Sequence, residues 1–203
     1  MWNERYAGAA GYLFGTDPAT FVKNTSSRLR PGSKVLCVAD GEGRNSVYLA
    51  GLGMKVTAMD ASDVALEKAR ALALAHGVSV DFRLADIAAW KWEPNRWDAV
   101  VAVFIQFADP TLRAQIFAGM QRTLAPGGTL LLHGYTPEQV ALGTGGPKDP
   151  DNMYTPEMLR DAFRGLEIER LEAYRAEIHE GEGHSGPSAL IDLIAHKPER
   201  TPV

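Results

Sequence analysis

A glycine-rich turn and an acid that follows it at a fixed distance are the strongest indication of the fold of this chain. Gly41 and Gly43 come directly after an apolar run at 34–39, and a helical segment follows them. Asp60 lies nineteen residues after Gly41, at the end of the next apolar run. Glycines let the backbone approach a ligand closely, and a helix start offers free N–H groups. The spacing predicts a nucleotide site in which Asp60 binds ribose hydroxyls, although Asp60 as a simple helix cap is the alternative.

Apolar runs and helical segments alternate along the first two thirds of the chain. Strands are predicted at 34–39, 55–59, 78–84, 97–104 and 129–133, with helical patterns between most of them. The nearly continuous apolar run at 97–104 is typical of a strand buried on both faces. This order predicts a parallel sheet covered by helices on both sides.

The end of the chain has a different pattern. Residues 166–178 and 188–196 both alternate in polarity, and the short glycine-rich segment between them leaves no room for a crossover helix. Two strands joined so briefly must be antiparallel. The 203 residues suit one domain. We therefore expect a single α/β, Rossmann-like domain whose mostly parallel seven-stranded sheet has an antiparallel last strand.

Ligands of open α/β sheets bind beyond the carboxyl ends of the strands, which selects further candidates. Asp86 and Ile87 follow the third predicted strand, where they are expected to meet an adenine ring. The alternative for Asp86 is a helix cap. Phe104 follows the fourth strand and Tyr135 follows the fifth.

Several motifs together resemble a known family. The run at 35–45, which ends in Gly-Glu-Gly-Arg-Asn, resembles the first motif that binds S-adenosylmethionine (SAM) in class I methyltransferases. This variant is similar to small bacterial methyltransferases related to tellurite-resistance and thiol methyltransferases. Segments 2–6, 85–86, 124–128, 144–148 and 186–189 add to the likeness. The resemblance implies SAM as cofactor, bound by Trp2, Tyr6, Asp40, Gly41, Glu42, Gly43, Arg44, Asn45, Asp60, Ala61, Ser62, Asp86, Ile87 and Phe104.

Two positions depart from the family pattern. Many class I members carry an acid two residues before the first glycine, where this chain has Ala39 and Asp40 is shifted by one. The methionine amine is then held by the Asp40 backbone, by Glu42 or by a water molecule. Asn45 stands where a third glycine is common, so the backbone is expected to approach the ligand less closely there.

The resemblance also suggests how the chain is divided. Residues 1–30 are expected to form a helical segment over the cofactor, residues 31–135 the SAM-binding core, and residues 136–203 the substrate side. For the first segment the alternative is a surface helix that buries Trp2 for stability. The irregular stretch at 135–152 is long enough to act as a lid.

The acceptor is expected to be a small molecule, with a soft nucleophile such as a thiol or tellurite suggested by the resemblance. His179, His184 and Tyr135 are the candidates to bind or deprotonate it. The alternative for the two histidines is a polar surface turn. A metal site within 179–184, which includes Glu180 and Glu182, is disfavoured because the spacing matches no zinc motif.

Composition narrows the partners. The net charge is -4 with no cluster of basic residues, which argues against nucleic acid and anionic membranes as partners. The chain has one cysteine, Cys37, starts with a charged segment, and its longest apolar run at 99–105 is too short to span a bilayer. We predict a cytoplasmic monomer or homodimer. A non-catalytic SAM-binding regulator and a nicotinamide-dependent oxidoreductase are the rival functions.

Overall fold

The computed structural model describes residues 2–181 and 183–199. The helices are α1 (Trp2–Gly8), α2 (Thr20–Thr25), α3 (Arg44–Gly51), α4 (Asp63–Ala75), α5 (Pro110–Thr123), α6 (Gln139–Leu142) and α7 (Pro156–Ala162). The strands are β1 (Lys34–Val38), β2 (Lys55–Asp60), β3 (Asp81–Leu84), β4 (Trp97–Val103), β5 (Leu124–Tyr135), β6 (Glu167–His179) and β7 (Ser185–His196). None of the helices in these ranges is long and apolar enough to cross a membrane.

The strands form one seven-stranded sheet in the order β3-β2-β1-β4-β5-β7-β6. Strands β1 to β5 pair in parallel, and β7 inserts antiparallel between β5 and β6. This confirms the predicted fold class. The strand order reverses direction between β1 and β4, and such a switch point opens a crevice at the carboxyl ends of the strands.

Two apolar cores cover the faces of the sheet. Alternate residues of a strand point to opposite faces, so neighbours in β1 belong to different cores. Leu36 packs with residues of α5 and α7 on one face. Val35 and Cys37 pack with residues of α2 and α3 on the other. Cys37 is thus a buried apolar side chain, and burial raises the pKa of its thiol.

Three strands start at least three residues away from their predicted positions, and one of them is β7, which starts at Ser185 instead of residue 188. Strand β5 begins at Leu124, five residues before its predicted start, because Gly127 and Gly128 exchange backbone hydrogen bonds with Lys197. Strand β3 starts only at Asp81, three residues later than predicted. As an edge strand it has one partner, β2, whose register with it begins at that residue.

Candidate functional site

A cavity of about 340 Å³ lies at the carboxyl ends of β1 to β5, beside the switch point of the sheet. Its volume is within the range of small-molecule sites. One side of the cavity is formed by the loops after β1 and β2, and the N-terminal segment covers it. The loops after β4 and β5 and the β6–β7 hairpin form the remaining wall.

The glycine-rich turn needs its glycines for two different reasons. Gly41 lines the cavity at φ +63°, and a Cβ atom there would lie 2.8 Å from the Tyr6 hydroxyl oxygen. Gly43 does not line the cavity; at φ +87° it lies where a Cβ would be 2.7 Å from that of Ala69 on α4. Gly41 thus allows close approach at the site. Gly43, predicted to contact the cofactor, lets α3 pack on α4 instead.

Asp60 holds this turn from the end of β2. One carboxylate oxygen accepts a hydrogen bond from the Gly41 amide at 2.8 Å, and the other accepts one from the Ser62 amide at 2.8 Å. Asp60 is buried and lines the cavity, and burial raises the pKa of its carboxyl group. Each oxygen keeps an acceptor site for a further donor, such as a ligand hydroxyl.

The two residues after Asp60 have different positions. Ala61 lines the cavity. Ser62 does not; its hydroxyl caps α4 by accepting a hydrogen bond from the Ala65 amide at 3.1 Å, and it bonds to Asn3 of α1 at 2.5 Å. The helix cap is therefore Ser62 and not Asp60, and the predicted contact of Ser62 with a ligand is replaced by a contact with the N-terminal helix.

Asp40 is the acid on the cavity wall above β1. Its carboxylate accepts a hydrogen bond of 2.5 Å from the Ser46 hydroxyl. Enclosure by protein raises the pKa of Asp40 to about 7, and nearby Asp60 contributes to the rise. Asn45 also lines the cavity, and its side-chain oxygen accepts from the Ala19 amide at 2.9 Å.

Glu42 points away from the cavity, contrary to its expected contact with a ligand amine. One of its oxygens accepts a hydrogen bond from the Leu13 amide at 2.7 Å. The other forms an ion pair of 2.9 Å with Lys68 of α4. The Lys68 ammonium also donates to the backbone oxygens of Tyr6 and Gly11, each at 2.6 Å. Glu42 therefore fixes the N-terminal segment to the glycine-rich turn.

The N-terminal segment lies on the cavity with aromatic side chains. Trp2, Tyr6 and Phe14 all line it. Trp2 stacks on Tyr6 with ring centroids 5.8 Å apart, and Tyr6 meets Phe14 edge-on at 6.3 Å. Arg5 lines the same wall and lies over the Trp2 ring at 4.7 Å. These side chains line the cavity, which a helix that only buries Trp2 for stability would not require.

Asp86 and Ile87 lie beyond β3 on the cavity wall. The Asp86 carboxylate also accepts a hydrogen bond from the Ala88 amide at 2.9 Å, which caps a short 3₁₀ turn at Ile87–Ala89. Asp86 can therefore cap this turn and also contact a ligand, since the cap uses only one of its carboxylate oxygens. Ile87 is buried and offers an apolar surface.

The opposite end of the cavity holds a histidine–tyrosine pair. The His184 Nδ1 atom lies 2.7 Å from the Tyr135 hydroxyl. His184 stacks between Phe14 and Phe104, with centroid distances of 4.5 and 4.1 Å. Burial lowers the pKa of His184 to about 3, with nearby Arg44 adding to the effect, so its ring is neutral at physiological pH.

The backbone at this end is strained and anchored. Phe104 has φ +54°, which is uncommon for a bulky residue and is found where a site requires it. The Gln106 side chain bonds to both backbone groups of Tyr135, at 2.6 and 2.8 Å. Gln106 therefore fixes the backbone of Tyr135 and, through it, the position of the Tyr135 ring in the cavity.

His179 lies outside the cavity. Its side chain is 72% exposed, and its Nε2 atom lies 3.5 Å from a carboxylate oxygen of Glu177. His179 is the last residue of β6 and is exposed, while the preceding Ile178 is buried on the other face of the strand. His184 lies in the turn before β7, where it is buried. In the 179–184 segment, Glu182 lies outside the described residues.

Sequence reasoning did not single out Phe14 or Lys68. Phe14 lines the cavity between the N-terminal helix and the hairpin, and the Leu13 oxygen accepts from the Gly183 amide at 3.1 Å. The only signal for Phe14 was an aromatic side chain in a glycine-rich segment. Lys68 looks like an ordinary exposed helix residue, so no local signal could have found it.

Comparisons with known proteins agree with this geometry. Residues 35–128 match the family described as "Methyltransferase domain". The ubiquinone biosynthesis O-methyltransferase of Xanthomonas axonopodis pv. citri is 36% identical over 115 residues, which are 55% of this chain and 47% of that protein. The chain spans about half the length of the curated relatives it matches.

Solved structures share the fold over nearly the whole chain. One, from a study of the conversion of a disulfide bond into a thioacetal group during echinomycin biosynthesis, has a TM-score of 0.79 at 20% identity, covering 98% of this chain and 91% of that one. TehB from Haemophilus influenzae has a TM-score of 0.73 at 18% identity, covering 97% and 67%. Residues 35–128 are therefore similar to a methyltransferase domain, and the chain as a whole shares its fold with these solved structures, TehB among them.

Proposed function

We propose that this protein transfers a methyl group from SAM to a small-molecule acceptor within this cavity. The observation that carries the proposal is the contact between Asp60 and the Gly41 amide at the switch point. It joins the ribose-binding acid and the glycine-rich turn in one rigid unit that lines the cavity.

The residues present fit a SAM molecule. Asp60 would hold the ribose, and Asp86 and Ile87 the adenine. Asp40 would face the amine of the methionine part, and the aromatic rings of Trp2 and Tyr6 would cover it. Gly43, Ser62 and Glu42 support these groups from behind and do not line the cavity.

Charge favours SAM over a nicotinamide dinucleotide. Three acids, Asp40, Asp60 and Asp86, line the cavity against two arginines, and this excess of carboxylates disfavours the two phosphates of a dinucleotide. SAM carries a sulfonium and an ammonium group, and these suit an acidic wall. The oxidoreductase alternative is therefore disfavoured by the site itself.

The protein's own contribution to the reaction is position and exclusion of water. The sulfonium of bound SAM supplies an already activated methyl group. Phe14 and Phe104 exclude water from the acceptor end, and the Tyr135–His184 pair offers a fixed polar contact for the acceptor. Alignment of this kind contributes roughly 7–11 kcal/mol in favourable cases.

The acceptor contact belongs to His184 and Tyr135 and not to His179. A neutral His184 is a hydrogen-bonding group and a weak base, so it suits an acceptor that needs little help to lose a proton. Soft nucleophiles such as thiols and tellurite are of this kind. We place the reaction in the cytoplasm, without nucleic acid, in a monomer or homodimer, as the sequence suggests.

Two measurements test the proposal. Isothermal titration calorimetry with SAM, S-adenosylhomocysteine and NAD should show binding of the first two only. The variant Asp60→Ala should weaken SAM at least tenfold, whereas the exposed control Asp161→Asn should not. A methyl-transfer screen with thiols, tellurite, selenite and small phenols should show turnover. Tight SAM binding with no turnover on any acceptor would favour a regulator, and failure to bind SAM would refute the proposal.

A further inference from the structure

Arg44 is a buried cation with unused hydrogen-bonding capacity on the cavity wall. It is the first residue of α3, and the residue is 7% exposed. Its Nη2 atom lies 2.8 Å from a carboxylate oxygen of Glu180 in the β6–β7 hairpin. Its Nη1 atom is buried and has no hydrogen-bond partner among the residues that the structure describes.

Glu180 leaves this pair incomplete. Its Oε1 atom accepts a hydrogen bond from the Thr20 amide at 3.0 Å, so it is committed to the start of α2. Its Oε2 atom is within ion-pair distance of Arg44 but is not aligned for a hydrogen bond. A guanidinium group favours two parallel hydrogen bonds to one carboxylate. Here Glu180 supplies one close contact and no such fork.

The surroundings of Arg44 within the cavity are mostly neutral. His184 is uncharged and Tyr135 is a phenol, and both lie near enough to interact with the Arg44 charge. Asp40 is the other acid near Arg44 in the cavity, and it is already bonded to Ser46. A buried donor without a partner is costly, and an anionic group of a ligand would remove that cost.

We infer that Arg44 binds a carboxylate or similar oxyanion of a ligand in this cavity. The group comes either from the methionine part of the cofactor or from an acidic acceptor, and in both cases the chemistry of recognition is the same. Glu180 then has a second function, because it partly neutralises Arg44 and limits how tightly the anion is held. That the anion belongs to a cofactor or to an acceptor rests on the proposed function, whereas the existence of an anion site at Arg44 does not.

Two substitutions at the same ion pair test the inference by their opposite effects. Arg44→Met should weaken anion binding about tenfold or more, since the charged donor is lost. Glu180→Gln should strengthen it, because the Arg44 charge is no longer offset while the oxygen for the Thr20 amide remains. A purely structural ion pair would make both variants bind more weakly. Arg28→Met and Glu169→Gln, which alter an exposed ion pair away from the cavity, are the matched controls.

Calorimetry with two probes separates the sources. SAM and decarboxylated SAM differ only in the carboxylate. If Arg44 binds the carboxylate of the cofactor, Arg44→Met should lower the affinity for SAM and leave the affinity for decarboxylated SAM unchanged. For an anion of the acceptor, the probe is benzoate titrated onto protein saturated with S-adenosylhomocysteine. If Arg44 binds such an anion, benzoate affinity should fall in Arg44→Met and rise in Glu180→Gln.

The outcomes keep the two proposals apart. If neither the ratio of the SAM affinities nor the benzoate affinity changes in Arg44→Met, the inference is overturned. The same holds if Glu180→Gln weakens binding as much as Arg44→Met does. If the protein binds no nucleoside but free wild-type protein binds benzoate through Arg44, the proposed function fails and the anion site stands. A circular-dichroism melt of each variant shows that the folded protein is being compared.

Discussion

SAM affinity should rise with pH between 5 and 7 because of Asp40. Burial raises the pKa of this carboxyl group to about 7, so in the free protein it is largely protonated at pH 5 and largely ionised at pH 8. A ligand with cationic groups beside Asp40 favours the ionised form and lowers the pKa on binding. Ligand binding therefore releases a proton below pH 7, and the affinity increases as the pH rises.

The size of the effect follows from the shift. The pKa rises from 3.8 to about 7, and about three units correspond to roughly 4 kcal/mol against the charged form. If bound SAM restored an ordinary pKa, affinity would increase by up to about tenfold per pH unit well below pH 7, and by about 50-fold in all from pH 5 to 7. The same shift affects stability: the contribution of Asp40 is fully present below pH 3.8 and is lost as the pH rises through 7.

The assay is calorimetry of SAM binding at pH 5, 6 and 7, where an α-amino group with a pKa of about 7.7–8.0 stays protonated. Asp40→Asn should flatten most of the pH dependence and give a free protein whose melting temperature falls less between pH 5.5 and 8. Asp161→Asn, which changes an exposed acid, should keep the wild-type slope. A wild-type affinity that does not change with pH, or an unchanged slope in Asp40→Asn, would refute the reasoning.

Three further predictions concern the supports of the cavity. Lys68→Met should lower SAM affinity about tenfold and speed proteolysis within residues 8–15, because the N-terminal segment loses its hydrogen bonds, whereas Lys23→Met should do neither. Gly43→Ala should lower the free energy of unfolding by about 1–3 kcal/mol in urea titrations, as its Cβ would meet α4 at 2.7 Å, while Gly8→Ala should be nearly neutral. His184→Ala should reduce turnover about tenfold or more with any acceptor found, and His179→Ala should stay within twofold; equal losses would contradict the separation of these residues.

The fold could be predicted because its signals are local. Apolar runs separated by helical patterns predict parallel strands, and the brief connection before β7 requires an antiparallel end. Asp60 could be predicted because the distance from Gly41 is set by one helix and one strand. The limits of β3 and β5 could not, since they depend on which partner strand supplies hydrogen bonds.

The candidate site was harder to predict where contacts join distant parts of the chain. Arg44 and Glu180 are 136 residues apart in sequence, and Lys68 reaches backbone oxygens 57 and 62 residues away. Glu42 was expected at the ligand because the motif contains it, but the direction of a side chain in a turn depends on what packs there. His179 and His184 look equivalent in sequence, but His179 ends β6 on its exposed face and His184 lies in the turn before β7, where it is buried.

The position of Glu42 has a consequence for how ligands reach the cavity. Its carboxylate bonds to the backbone of the N-terminal segment on one side and to Lys68 on the other. The glycine-rich turn and this segment are therefore one unit, and the segment cannot open without breaking partly buried, charge-assisted contacts. Phe107 also lines the cavity, but it is 40% exposed to solvent and has no comparable anchor in the contacts described above. Exchange of the acceptor is then easier past Phe107 than under the N-terminal segment, so Phe107→Trp should slow acceptor turnover while leaving SAM affinity unchanged.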